Sequence, residues 1–199
     1  MASGIACRAP FWAGVWQAAV SLAAVLMPPV RAAEKSREEL NRQAEQLLDR
    51  HGSSILRYAY TYLHSREDAE EILQETLIRF LQTAPKFEND QHAKAWLLRV
   101  AGNLSKNKLR AEKLRQGDEL KEELIAEERP DLAFVWEAVS RLPLRYRQVI
   151  HLFYHEGYAG RQIAQILGKN EATVRSDLQR GREKLRSLLK EEYGIEAAV

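Results

Sequence analysis

Cysteine is almost missing from the 199 residues; Cys7 stands alone. A lone thiol excludes an internal disulfide framework and a cysteine-rich zinc site. A body without a redox signature fits a reducing cytoplasm. Glycine (10) and proline (6) are scarce too, and no stretch alternates apolar with polar residues as a half-buried strand does. With helix formers abundant, the pattern is that of an all-α protein. There is no glycine-rich phosphate loop and no plausible catalytic triad. Ser187-Leu188-Leu189-Lys190 has the outline of a serine-hydrolase fragment without its companion motifs. The reading is not an enzyme: no catalytic residue, no cofactor and no small-molecule substrate. A strong net charge is absent as well, at +2, so any nucleic acid must be met by local patches. What is present, 45% hydrophobic and 29% charged residues, is the balance of a globular chain rather than a disordered one.

The N-terminus pulls against a cytoplasmic reading. "PFWAGVWQAAVSLAAVLM", Pro10 to Met27, is almost wholly apolar, with Arg8 before it and Arg31 after it. Val30-Arg31-Ala32 is an acceptable small-residue cleavage site, so the segment has the form of a secretory signal or a short membrane span. The alternative is synthesis from Met27, which removes it.

From Glu34 to about Leu63, Leu40, Ala44, Leu47, Leu48, Ile55, Tyr58, Ala59 and Tyr62 predict a helix, with Gly52 marking a kink or break. Ser65 with Asp68 three residues on resembles a capping box and opens a second helix. Ile72, Leu73, Leu77, Phe80 and Leu81 form its stripe, and Pro85 ends it. A loop, Lys86 to Gln91, leads to a third helix from about His92 to Leu114, with Ala93, Trp96, Leu97, Val100 and Leu104 inward. Its remaining face is basic, with Arg99, Lys106, Lys108, Arg110, Lys113 and Arg115 opposed only by Glu112. The charge then reverses over Gly117 to Asp131, an acidic run that reads as an inter-domain linker; locally it also suits a solvated charged helix. Leu132, Val135, Trp136, Val139 and Leu142 give one further helix. Pro143 starts the next, with Tyr146, Val149, Ile150 and Phe153 inward. "GYAGRQIAQILGKNEATVRSDLQ" has the layout of a helix-turn-helix, in which Gly168 supplies the left-handed residue of the turn and a longer helix starts at Glu171. The expected organisation is an apolar extension over 1–33, a helical domain over 34–116, the linker over 117–131, a second helical domain over 132–192 and a tail over 193–199.

The last long helix carries an anchoring stripe of Val174, Leu178, Leu185 and Leu188 with Gly181 between them. Its other face shows Thr173, Arg175, Ser176, Gln179, Arg180, Arg182 and Arg186. Arginine reads guanine edges and clamps phosphates, glutamine reads adenine, and Thr and Ser bind phosphate or touch a thymine methyl. A solvated surface helix is the plainer reading, but it favours Lys and Glu over this mixture. The third helix sets Asn103, Ser105, Lys106, Asn107 and Arg110 beside Trp96, which suits unpaired DNA whose bases leave the stack; a soluble helix with a core Trp explains it as well. On the second helix Glu67, Asp68, Glu70 and Glu71 suit the helix dipole. Gln74, Glu75 and Arg79 lie beyond that explanation and offer a face to a protein partner. His151 and His155 have the spacing of a helical metal pair, but Leu152 replaces the Glu a metalloprotease needs and no third ligand is evident. No metal is expected. Asn103-Leu104-Ser105 matches a glycosylation sequon inside a predicted helix.

Two separate stretches resemble one family. "DAEEILQETLIRFL" with "FENDQHAKAWLLRVAGNLSKNKLR" is similar to region 2 of bacterial sigma-70 family sigma factors, in the extracytoplasmic-function (ECF) group. "LPLRYRQVIHLFYHEGYAGRQIAQILGKNEATVRSDLQRGREKLRSLL" is similar to their region 4. The resemblance covers about Leu40 to Leu189 and implies region 2 over 34–116 and region 4 over 132–192. It implies a factor that binds core RNA polymerase, through the clamp coiled coil of the largest subunit and the flap, and directs it to promoter DNA; an anti-sigma factor is a further implied partner. Asp68, Glu71, Gln74, Glu75 and Arg79 match the surface that docks on the clamp. Phe87, Asn89, Trp96, Asn103, Lys106, Asn107 and Arg110 match the part that recognises and melts the −10 element. Arg161, Ala172, Thr173, Arg175, Ser176, Gln179, Arg180 and Arg182 match the reader of the −35 element. Asp177 departs from the pattern, standing where many relatives carry a basic residue, and would accept from cytosine or weaken phosphate binding. Gly160-Arg161-Gln162 replaces a commoner acidic residue.

The resemblance favours a cytoplasmic, nucleoid-associated protein and a start at or just after Met27, with residues 1–26 a mis-assigned extension. The rivals are a stand-alone helix-turn-helix regulator that binds duplex DNA without polymerase, and a membrane-anchored helical interaction protein.

Overall fold

The structure is a computed structural model that describes residues 30–116 and 133–194. Among the described residues there is no strand, and the expected all-α class holds. The apolar N-terminal segment, the acidic linker and the last five residues lie outside the described part. The chain divides between Gln43 and Ala44 into two units. The described residues of the first are the opening turns of helix α1 (Val30–Leu63), where Arg42 pairs with Glu39 at 3.3 Å. The second contains every other element.

Helix α1 runs unbroken through Gly52, against the expected kink. Leu47, His51, Ile55, Tyr58, Ala59 and Tyr62 are all buried, a run that recurs every three or four residues and keeps one face inward. That buried face outweighs the modest cost of a helical glycine. Leu48 lies off this face and is exposed. The helix stops where His64 enters the left-handed region at φ 53°, its N–H bonded to the Tyr60 carbonyl. Ser65 then caps α2 (Arg66–Thr83), accepting from the Asp68 N–H at 3.2 Å, so the predicted N-terminal signal is present. Ala84, at φ 41°, closes α2, and Pro85 cannot continue it. Of the expected stripe, Ile72 and Phe80 are buried, but Leu81 is exposed. Helix α3 (Asp90–Gln116) is capped by Asn89, whose Oδ1 accepts from the His92 N–H at 2.8 Å, and it packs against α2.

After the linker come α4 (Ala133–Ser140) and α5 (Leu144–Ile150), then a single π-turn over His151–His155. Helices α6 (Gly160–Leu167) and α7 (Glu171–Tyr193) complete the chain. Gly168, at φ 63°, makes the expected turn between them, and Asn170 caps α7 through the Ala172 N–H at 2.9 Å. Helix α7 is the hub, packing on α4, α5 and α6. Gly181 makes this possible: a Cβ there would sit 3.2 Å from Ile150 and 3.3 Å from Tyr146.

The N-terminal and C-terminal helices also meet each other. The Tyr58 and Tyr62 hydroxyls lie 2.8 Å apart, and Tyr62 donates to Oε1 of buried Gln148 at 3.0 Å. Arg147 donates to Nε2 of His64, and Lys94 pairs with Glu156 at 2.6 Å.

Burial, helped by the Arg147 charge, pulls the His64 pKa down to about 4, and burial lowers that of His151 as well. Both imidazoles are therefore neutral in the fold, whereas in the unfolded chain they titrate near 6.5. Between those values the unfolded state binds more protons, so acid costs stability. The urea midpoint is expected to fall as pH drops from 7 through 6.5 towards 4. A midpoint that holds from pH 7 to pH 5 would mean that these rings stay open to water.

Candidate nucleic-acid interface

The helix-turn-helix presents its polar side chains on one side. Val174 and Leu178 are buried, and Leu185 and Leu188 are half-buried, as the expected stripe requires; Leu189 is buried beside them. Outward from the first turns of α7 stand Ala172, Thr173, Arg175, Gln179 and Arg180, all exposed, with Ser176 half-buried among them. Arg161 is exposed on α6. Arg175 reaches back to Glu171 at 3.5 Å, and Gln179 donates to Glu183 at 3.2 Å. Such exposed pairs are weak, so both side chains remain available. Arg182 is different. Its Nε donates to the Tyr154 hydroxyl at 2.9 Å, and its guanidinium lies 5.2 Å from the Phe153 ring and 5.6 Å from the Tyr154 ring. Tyr154, an exposed aromatic absent from the sequence expectation, fixes this arginine in place. Its signal was available: a large aromatic next to Phe153 on the surface of a basic module.

Asp177 is a correction. The sequence pattern places it on the reading face, but it is buried and pairs with Lys169 at 3.0 Å. It ties α7 to the turn and faces away from the Arg175–Gln179 side.

Helix α3 carries the second surface. Asn103, Lys106, Asn107 and Arg110 are linked by three- and four-residue steps, and Trp96 lies two turns before Asn103, so they share a side. Asn103, Asn107 and Arg110 are exposed. Lys106 is half-buried, and burial, then the nearby Lys169 and Arg110 charges, lower its pKa. Ser105 is a second correction: it is buried on the opposite side, its hydroxyl bonded to the Ala101 carbonyl. At the start of the helix Phe87 lies parallel to Phe80 within 17° at 6.1 Å and 5.8 Å from Trp96, so an aromatic cluster sits beside exposed Asn89. A cleft of about 570 Å³ opens there, lined by Asn89, Trp96 and Arg99 on one side and by Tyr158, Gln162 and Gln165 on the other.

The third surface is the outer side of α2. Gln74 and Arg79 are exposed, and Glu75 is half-exposed with Arg79 at 3.4 Å. Asp68 and Glu71 are held together by Lys108 of α3, which touches both at 2.5 Å; their hydrogen bonds outweigh its partial burial and raise its pKa. Ile78, 51% exposed, and Leu81 stand on the same helix. Apolar residues beside acidic ones suit a protein partner, and Ile78 was legible in the sequence as an isoleucine off the buried stripe.

Family models match both halves: sigma-70 region 2 over residues 47–115 and sigma-70 region 4 over residues 135–185. The ECF RNA polymerase sigma factor SigL of Mycobacterium tuberculosis is 31% identical over 156 residues, 73% of this chain and 88% of SigL. This chain belongs to the sigma-70 family, in the ECF group. The RNA polymerase sigma factor SigV of Bacillus subtilis is 28% identical over 146 residues, 71% of this chain and 88% of SigV. Two solved structures share the fold. They are the sigma factor RpoE of Bartonella quintana in complex with the anti-sigma factor NepR (TM-score 0.63, 22% identity, 74% of this chain, 97% of that one) and CnrH in complex with the cytosolic domain of CnrY (TM-score 0.59, 24% identity, 80% and 96%). The sigma factor is a transcription initiation factor that directs RNA polymerase to promoters. Among its described residues no helix is long and apolar enough to cross a membrane.

The tight contact at Gly181 gives a test of how region 4 of the sigma factor is built. Gly181→Leu is expected to cost about 1–3 kcal/mol by overpacking α5 against α7. The loss would be read in urea unfolding; an unchanged midpoint would mean that the two helices are not in close contact.

Proposed function

We propose that three faces of this sigma factor divide the work of initiation. Arg161, Ala172, Thr173, Arg175, Ser176, Gln179, Arg180 and Arg182 read the −35 duplex. Phe87, Asn89, Trp96, Asn103, Lys106, Asn107 and Arg110 capture non-template bases of the −10 element as the strands part. Asp68, Glu71, Gln74, Glu75 and Arg79 dock on the clamp coiled coil of core polymerase, and region 4 meets the flap. The observation that carries the reading is the division of α7, with Val174 and Leu178 inward and Arg175, Gln179 and Arg180 outward over the same turns. Each bidentate base contact from such side chains contributes about 1–3 kcal/mol of discrimination.

The protein acts by binding and catalyses no reaction. Unpairing and flipping a base costs a few kcal/mol. Stacking on an aromatic returns about 1–3 kcal/mol per base, and the cluster around Phe87 and Trp96 supplies the rings.

Reading both elements at once requires the two halves to part. Elements centred about 25 base pairs apart are separated by about 85 Å of B-DNA, at about 3.4 Å per step, whereas α3 and α6 are packed together. Residues 117–132, fully extended, reach about 55 Å, enough to carry region 4 clear of region 2. An anti-sigma factor that holds the halves together would block initiation. The site of action is the cytoplasm, on the nucleoid.

Run-off transcription tests the role. Residues 27–199 with core polymerase and a library of genomic promoter fragments are expected to start at specific sites only when both proteins are present. Duplex binding without polymerase, and no initiation, would favour a stand-alone regulator. Arg175→Ala and Arg180→Ala are each expected to lower promoter affinity about 5- to 150-fold, the equivalent of 1–3 kcal/mol. Core-polymerase binding should not change. Equal affinity in both variants would remove α7 as the −35 reader.

A further inference from the structure

The π-turn after α5 builds a feature that promoter recognition does not use. An i→i+5 turn brings residues into register that an α-helix keeps apart, and here the Glu156 N–H bonds to the His151 carbonyl at 3.2 Å. The carboxylate of Glu156 is thereby folded back beneath both histidines. Its Oε1 lies 3.4 Å from Nε2 of His151 and 3.2 Å from Nδ1 of His155, and the three ligand atoms lie within 4.8 Å of one another. Glu156 supplies a third donor atom beside the two imidazoles, one the sequence pattern did not show.

We propose that His151, His155 and Glu156 form a binding site for a divalent first-row transition metal of the zinc type. Tetrahedral zinc, with bonds of about 2.0–2.2 Å to N and O, spaces its ligand atoms about 3.3 Å apart; the two edges from Glu156 match this, and the His151–His155 edge, within 4.8 Å, closes as the rings turn toward one ion. Two imidazoles and one carboxylate, with a fourth position for water, form a ligand set that zinc accepts. The His151 side chain is 3% exposed, and its Nε2 makes no hydrogen bond of proper geometry. The 3.4 Å approach to Glu156 satisfies an ion-pair distance and nothing more. A buried ring nitrogen without a hydrogen bond, beside a carboxylate, is the kind of unsatisfied group a bound cation accounts for.

The surroundings agree. Lys94 occupies the other carboxylate oxygen, Oε2, at 2.6 Å, and leaves Oε1 to the metal while fixing the carboxylate, as outer-sphere partners do. The Trp136 ring walls the site 5.9 Å from His151 and 5.4 Å from His155. The two imidazoles are parallel within 8°, so each must rotate about its broad terminal torsion to aim at one ion. The side chain of His155 is 22% exposed, which gives the ion a way in.

The test uses the full chain. Equilibrium dialysis against Zn2+ is expected to retain one equivalent, and Co2+ in its place should give the intense visible bands of a tetrahedral site. His155→Ala, at the half-exposed ligand, is expected to weaken binding by about 100-fold and abolish those bands, with helicity by circular dichroism unchanged. Glu156→Gln provides a second variant, expected to weaken binding at least about tenfold. No retained zinc in the native chain would overturn the proposal. So would retention at native affinity in both variants, which would locate the ion elsewhere.

Discussion

Two phenols and one amide connect the halves of the sigma factor. Tyr58, Tyr62 and Gln148 form a hydrogen-bonded chain in which every member is buried. A satisfied buried network fixes one arrangement, because any slip strands a polar group away from water. The chain also sets how closely α3 approaches α1: a Cβ at Gly102 would stand 3.1 Å from Tyr58 Cε1 and 3.2 Å from the Tyr62 hydroxyl. With α1, α3 and α5 placed in this way, Lys94 falls opposite Glu156, and α6 falls across from Trp96.

Charge is sorted around that centre rather than summed. The net value is only +2, yet the first turns of α7 expose Arg175 and Arg180 together and α3 exposes Arg110 beside Lys106. Several acidic groups are held by other cations, Asp177 by Lys169 and Asp68 and Glu71 by Lys108, while Glu171 and Glu183 make only weak exposed pairs with Arg175 and Gln179. Local field, not total charge, decides where a polyanion lands.

Much of this was legible from residue order. Ser65 and Gly168 are local signals with local causes, and they cap or turn the helices they precede or follow. The inward residues Ile72, Phe80, Val174 and Leu178 follow from periodicity alone. What escaped depended on contacts distant in sequence or on a change of helical register. Gly52 reads as a break until one sees the buried face on either side of it. Asp177 reads as outward until Lys169, eight residues earlier, turns it in. Glu156 reads as unrelated to His151 until a π-turn brings it beneath. The pairing of Tyr62 with Gln148, 86 positions apart, has no sequence signal at all.

The seam between regions 2 and 4 has a consequence for how strongly any promoter is bound. If α3 and α6 serve the two elements as proposed, a molecule with them packed together cannot read both, and the apparent affinity is the intrinsic one scaled by the fraction of molecules that are open. Each additional 1.4 kcal/mol or so in the seam lowers that fraction about tenfold. Under the proposed division of labour, residues such as Gln148 and Lys94, which need touch no base, would tune every promoter by a common factor and leave the ranking among promoters to Arg175, Gln179 and Arg180.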